Sequence, residues 1–189
     1  MEKTQRRSSR ITTKNEKKKA SNWTWNTKEE LDGIVWGKTK NFEGAQRIAA
    51  FDMDYTLITP KRGKGLPQGP NDWKFLTPKI GEKLKEVSDQ GYAVVIFSNQ
   101  KGISKGKTSS DVICQKIENF TKGFDFPLAA LFATQDDYHR KPGRGMWDYF
   151  VKNLNDGEEV ELEGSFYIGD AAGRPKTKTH RKDFSDGDR

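Results

Sequence analysis

Cysteine is almost absent from this chain: Cys114 stands alone among 189 residues. One thiol can build neither an internal disulfide nor a multi-cysteine zinc site. Apolar residues are sparse as well, at 32%, no more than the charged fraction. No apolar run approaches the ~20 residues of a membrane span, and no secretory leader is read, so a reducing, intracellular compartment and no membrane partner are expected.

What is plentiful is positive charge, and it is unevenly placed. Residues 1–20 hold eight Lys/Arg against two Glu, with only Met1, Ile11 and Ala20 apolar, the composition of a disordered basic tail. The two ends, 1–20 and 173–189, contribute +6 and +3 of the total +7, leaving residues 21–172 at −2. The basic character thus belongs to the ends, where it would attract a polyanion or simply solubilise. Arg6-Arg7 and Lys17-Lys18-Lys19 form a loose two-part nuclear import signal, which makes the nucleus the expected location.

A core-forming pattern begins after a lead-in segment, 21–46. IAAF (48–51), AVVIF (93–97), AALFAT (129–134) and SFYIG (165–169) read as strands. Between them lie helical spacings: Ile80, Leu84, Val87 up to Gly91; Ile113, Ile117, Phe120; and Met146, Phe150, Leu154. Thr77-Pro78 supplies a cap and a first-turn proline for the first helix. Strands apolar on both faces, alternating with helices, specify an α/β fold with a mostly parallel sheet covered on two sides. In such sheets ligands bind at the carboxyl ends of the strands. Asp52, Ser98, Thr134 and Asp170 all fall there.

IAAFDMDYTLI (48–58) poses the sharpest problem, since Asp52 and Asp54 leave an apolar strand one residue apart. A buried carboxylate needs compensation. Residues i and i+2 of an extended chain share a face, so both acids, with Asp170, are expected to hold a divalent cation; oxygen ligands from carboxylates and a backbone carbonyl, without His or Cys, suit Mg2+.

Asp52-Met53-Asp54-Tyr55-Thr56 matches the DxDx[TV] signature of the haloacid dehalogenase superfamily of phosphohydrolases, and Ser98 in IFSNQ, Lys141 in HRKPG and Asp170 in YIGDAAGR follow as its later motifs. The string from DMDYTLITPKRGKGLPQGPNDWKFLTPKI through VVIFSNQKGISKGK, RKPGRGMWD and IGDAAGR to KDFSDGDR resembles the polynucleotide kinase 3′-phosphatase family over about residues 47–189. The resemblance implies a Rossmannoid three-layer fold and Mg2+-dependent hydrolysis of DNA 3′-phosphate ends to 3′-hydroxyls in strand-break repair. It also implies a monomer whose partners are DNA and DNA-repair proteins. Asp52 would be the nucleophile, Asp54 the acid and base, Ser98 and Lys141 the groups that meet the phosphoryl oxygens, and Asp170 a metal ligand. Two departures stand out: Tyr55 replaces the usual Gly, and the family continues where this chain stops, so a phosphatase domain shortened at its C-terminus is expected.

DNA contacts are expected from Asn99, Lys105, Lys107, Arg140 and Trp73, with Lys61, Arg62 and Lys64 of the insertion beside them; core packing is the alternative for Trp73. Three other readings compete. Gly102 to Gly106 leaves three residues where a Walker A loop needs four, which excludes a nucleotide kinase site there. Histidinol-phosphate and heptose-bisphosphate phosphatases share a similar SNQ segment but carry a cysteine-rich zinc loop that one Cys cannot form. A shortened, inactive DNA-end binder is the third.

Overall fold

A computed structural model describes residues 21–28, 30–61, 65–178, 182–183 and 185–188. The basic tail over 1–20, with its import signal, and Arg62 and Lys64 of the basic loop lie outside those residues. In chain order the elements are β1 (Trp23–Asn26), a single 3-10 turn (Glu30–Asp32), β2 (Ile34–Thr39), β3 (Ile48–Phe51), β4 (Ile58–Thr59), β5 (Lys74–Phe75), α1 (Ile80–Asp89), β6 (Ala93–Asn99), α2 (Ser110–Thr121), β7 (Ala129–Ala133), α3 (Gly145–Asn153) and β8 (Phe166–Ile168).

Six strands form one sheet in the order β1-β2-β7-β6-β3-β8. β7, β6, β3 and β8 run parallel to one another, while β1 and β2 are antiparallel additions at one edge. Every residue of β3 and β7 is buried because both faces are covered. On one face Leu84 of α1 and Ile113, Ile117 and Phe120 of α2 pack against Ala49, Phe51, Val94, Ile96 and Phe132. On the other, Met146 and Phe150 of α3, with Leu154 just beyond it, meet Ile48, Ala50, Val95, Phe97 and Leu131. This is the three-layer arrangement expected. Among the described residues no helix is long and apolar enough to cross a membrane.

Three expectations need correction. Residues 21–46 are not merely a lead-in: β1 and β2 extend the sheet, and Trp23 and Trp25 stack at 5.0 Å and reach α2 by indole hydrogen bonds to Thr121 (3.1 Å) and Glu118 (2.9 Å). Their burial against Val35 and Phe132 explains the aromatics in an otherwise polar segment. Thr77 does not cap α1; Ile80 N bonds back to Thr77 O at 3.3 Å in a turn, and Lys79, in helical conformation, precedes the helix without a side-chain cap. Thr134 does not enter the site, since its hydroxyl donates to Glu30 O at 3.1 Å and fastens β7 to the 3-10 turn.

β3 lies between β6 and β8, and the chain crosses from it to β6 on one side and later to β8 on the other. That reversal leaves a crevice at the carboxyl end of β3, where Asp52 emerges. Between β4 and β5 the insertion folds back over α2: Lys116 donates to Pro67 O at 3.0 Å and Asn119 to Pro70 O at 3.0 Å.

Candidate active site

Asp52 is the first residue past β3, its N–H still bonded to Ile168 O of β8 at 2.9 Å. Beyond it the strand does not continue. Tyr55 takes φ +64°, the left-handed conformation that a glycine adopts without strain, and Leu57 and Ile58 N–H groups turn back onto Met53 O. This accounts for the glycine usual at that position; here the Tyr55 hydroxyl gains a hydrogen bond to Gly65 O at 2.6 Å.

The turn sends the two acids to different neighbours. Asp52 Oδ1 accepts from Lys141 Nζ at 2.6 Å, and the same ammonium reaches Asp188 Oδ1 at 2.6 Å and the Tyr167 hydroxyl at 2.5 Å. Asp54 Oδ2 accepts from Gln100 Nε2 at 2.8 Å, and that amide also donates to Ser98 Oγ at 2.9 Å. Ser98 and Gln100 are both buried at the end of β6. A cavity of about 320 Å³ joins Asp52, Asp54, Ser98, Lys141, Asp170 and Asp188, with Arg140, Tyr55 and Leu66 also on its wall. A neighbouring cleft of about 380 Å³, lined by Trp147, Leu162 and Phe166 among others, shares Lys141 and Asp188 but touches none of Asp54, Ser98 and Asp170. The site therefore belongs to the smaller cavity.

Carboxylate oxygens of Asp52, Asp170 and Asp188 lie within 4.8 Å of one another. The Asp54 side chain is outside this cluster and Asp188 is in it. Three carboxylates around one ammonium leave a deficit of positive charge. Burial pushes the Asp52 carboxyl up to about 7 even though Lys141 opposes it. Asp170 is raised as well, by burial and then by Asp188. Asp188 is also pressed upward by burial, but the charge and hydrogen bond of Lys141, with bonds from Tyr167 and Ala171 N–H, hold it below the ordinary range. An all-oxygen donor set short of positive charge fits a hard divalent cation.

The remaining candidates divide. Lys141 is held from behind by Asn99, whose carbonyl accepts from Lys141 N at 2.9 Å and whose amide donates to Lys141 O at 3.0 Å. The amide expected to meet substrate is thus occupied in placing the lysine. Arg140 borders the cavity but pairs with Asp136 at 3.2 Å, where Lys101 also binds. Lys105 and Lys107 are exposed on the turn after β6, outside the cavity wall. Trp73 packs edge-on against Phe120 at 5.9 Å and beside Phe75 at 5.4 Å, so packing accounts for it, and it does not line the cavity. Sequence reasoning missed Asp188, Tyr167 and Gln100. Gln100 had a signal, standing two residues from Ser98 in IFSNQ; Asp188 and Tyr167 had none beyond residue type.

Known proteins place this geometry. A 20.8 kDa protein of Autographa californica nuclear polyhedrosis virus is 41% identical over 149 residues, 78% of this chain and 79% of that one. The bifunctional polynucleotide phosphatase/kinase of Schizosaccharomyces pombe is 35% identical over 80% of this chain, which spans only 36% of that protein. In fold, the D,D-heptose 1,7-bisphosphate phosphatase of B. bronchiseptica, solved with magnesium and phosphate, superposes with a TM-score of 0.54 at 16% identity, covering 66% of this chain and 70% of that one. The family model described as polynucleotide kinase 3 phosphatase matches residues 47–189, the stretch that carries β3 to β8 and every residue of the cavity. The chain belongs to the polynucleotide kinase 3 phosphatase family.

Proposed function

We propose that this protein hydrolyses terminal 3′-phosphates of DNA to 3′-hydroxyls through an aspartyl-phosphate on Asp52. The observation that carries the reading is the bridging of Asp52 by Lys141 in the cavity at the carboxyl end of β3, with Asp54 two residues on and turned to a separate set of partners. Asp52 presents a carboxylate oxygen to phosphorus while Lys141 draws charge from it and from the phosphoryl oxygens. Ser98, its hydroxyl already accepting from Gln100, has its proton available for a phosphoryl oxygen. Asp54 gives its proton to the departing sugar oxygen and then takes one from the water that attacks the phosphoenzyme. Asp52, Asp170 and Asp188 would hold Mg2+, which supplies the positive charge the cluster lacks.

The specific substrate is a polynucleotide end, and the exposure of Lys105 and Lys107 on the turn after β6 supports their meeting its neighbouring phosphates. The basic segment 1–20 supports a nuclear location, which imaging of the tagged protein with and without that segment would check. The test of function is phosphate release from a 3′-phosphorylated oligonucleotide, with and without EDTA, beside 3′-mononucleotides and sugar phosphates. A kcat/KM at least tenfold higher on the oligonucleotide, lost in EDTA and in Asp52→Asn, is expected. Equal efficiency on all substrates would remove DNA ends from the reading.

A further inference from the structure

The third acid of the carboxylate cluster, Asp188, is carried by a stretch without regular structure. From Ala172 to Asp188 the described chain forms no helix or strand, and none of its described residues joins either hydrophobic cluster. Yet Asp188 is tightly seated. Its side chain is 3% exposed, and a Cβ added to Gly169 would come within 2.3 Å of its carboxyl carbon. Ordering such a stretch costs conformational entropy that apolar packing does not offset here.

Polar bonds do so, rung by rung. Nearest the site, Asp188 N donates to Ala171 O at 2.8 Å and Ala171 N donates to Asp188 Oδ2 at 2.9 Å. Next, Gly173, at φ +70°, donates its N–H to Ser185 O at 3.0 Å. The outermost rung is Asp183. Its Oδ2 accepts from Ala172 N at 3.0 Å, Arg174 N at 3.1 Å and Arg174 Nε at 2.8 Å, and its own N–H returns to Arg174 O at 3.1 Å. Although Lys182 and Ser185 on either side are exposed, the Asp183 side chain is only 4% exposed. A carboxylate so buried, served by two backbone N–H groups and a guanidinium, is a strong tie between the two arms of the loop. Those arms are also the wall of the candidate active site, which Ala171, Ser185, Gly187 and Asp188 line. What holds the arms together therefore holds the acid.

We propose that Asp183, clasped to Arg174, is a positioning residue that seats Asp188 beside Asp52 and Asp170 and so sets the affinity of the site for a divalent cation. The inference rests on the reading of those three carboxylates as the Mg2+ site. Asp183 acts only through the backbone that presents Asp188. Arg174 Nη2 also donates to Asp170 O at 2.8 Å, so substitutions of the arginine would disturb two acids at once, and the test falls on Asp183.

The experiment measures the dissociation constant of Mg2+ alone, by titration calorimetry on the full chain, with melting curves along the same Mg2+ series. The proteins are the wild type, Asp188→Asn, and Asp183→Ala and Asp183→Asn, each alone and combined with Asp188→Asn. Partners that orient a metal ligand are typically worth 10–100-fold in affinity, so Asp183→Ala is expected to weaken Mg2+ by roughly tenfold or more. Asp183→Asn keeps an oxygen for the two N–H groups, is expected to lose roughly threefold, and serves if the alanine variant does not fold. With Asp188 already replaced, either substitution should cost less than about twofold more, because the ligand it positions is gone, whereas the effects of independent sites would multiply. A purely structural role would lower the melting temperature in EDTA and leave the Mg2+ constant unmoved. That result, or the same fold-loss with and without Asp188→Asn, would overturn the proposal. The titration uses no substrate, so it is decided apart from the DNA reading: a wild type that binds Mg2+ yet shows no preference for an oligonucleotide loses the polynucleotide substrate, and the clasp stands or falls by its own ratio. A wild type that binds no Mg2+ overturns the clasp, while phosphate release from the oligonucleotide still decides the phosphatase reading.

Discussion

Replacing Asp188 by asparagine separates two tasks that its carboxylate performs. Its Oδ1 lies 2.6 Å from Lys141 Nζ, an attraction of about 6 kcal/mol at an effective dielectric of ~20. Against this, ligand oxygens of Asp52 and Asp170 lie within 4.8 Å, and each repulsion amounts to about 3.5 kcal/mol or more at that dielectric. Two repulsions offset one attraction, but Tyr167 and Ala171 N–H bond to different oxygens of Asp188 and the single oxygen of asparagine serves only one of them, a loss of about 1–3 kcal/mol. Without a cation the variant should therefore melt roughly 2–12 °C below the wild type. With Mg2+ the balance changes, because all three carboxylates then attract the same ion. At 100 times its Kd a native-state ligand stabilises by about 2.7 kcal/mol, or roughly 5–11 °C for a chain of this size. Loss of one carboxylate that weakens the ion 100-fold would leave about 0.4 kcal/mol at the same concentration, a rise of roughly 1–2 °C. Melting curves of both proteins, from EDTA through an Mg2+ titration, measure the difference. Equal Mg2+-induced rises in the two proteins, whatever the gap between them in EDTA, would show that Asp188 is only the structural partner of Lys141.

Tyr55→Gly relieves a left-handed conformation costing roughly 1–2 kcal/mol and loses a hydrogen bond to Gly65 worth about 1 kcal/mol, so denaturant unfolding should find it more stable than Tyr55→Phe, which loses the bond and keeps the strain. A Cβ on Gly37 would come within 2.3 Å of the Trp25 ring across the β1–β2 ladder; Gly37→Ala should displace the indole, shift the tryptophan fluorescence and lower stability by ~1–3 kcal/mol. Burial pushes the Cys114 thiol up to about 12 from 9.0, so the folded protein retains a proton there that the unfolded chain loses: stability should fall as pH rises through 9, and the thiol should resist alkylation until the protein is unfolded. Affinity for a 3′-phosphorylated single strand should fall with salt at a log-log slope of about −2 if roughly three phosphates are engaged, and charge reversal at Lys105 and Lys107 should flatten it while sparing p-nitrophenyl phosphate hydrolysis.

β3, β6 and β7 were legible because a strand buried on both faces must be apolar throughout, and the helices because apolar residues recur at helical spacing between them, as Ile113, Ile117 and Phe120 do in α2. β1 and β2 were not. Trp23 and Trp25 sit in a polar context, and what makes them a strand is pairing with β2, itself laid antiparallel on β7 some ninety residues later in the chain. Such long-range pairing leaves no local period to read. β4 and β5, at two residues each, are too short to show one.

In the site, residue types at strand ends were legible and their pairings were not. Asp52, Ser98, Lys141 and Asp170 could be found because each adjoins a strand end or a motif on the first pass along the chain. Asp188 lies in a stretch whose composition reads as a solvated basic tail, and only the return of that stretch to the carboxyl end of β8 brings it to Lys141 and Tyr167. The parting of the Asp54 side chain from that of Asp52 has a different cause. Two residues apart means the same face only while the chain stays extended, and β3 ends at Phe51 before the turn at Tyr55. The turn gives each acid of DMD a partner of its own, the Lys141 ammonium for Asp52 and the Gln100 amide for Asp54, and puts only Asp52 among the carboxylates. Two neighbouring carboxyl groups in separate surroundings can hold different protonation states at one pH, and a nucleophile beside a general acid requires that. The separation is a property of the backbone turn, so the order of the residues alone could not have revealed it.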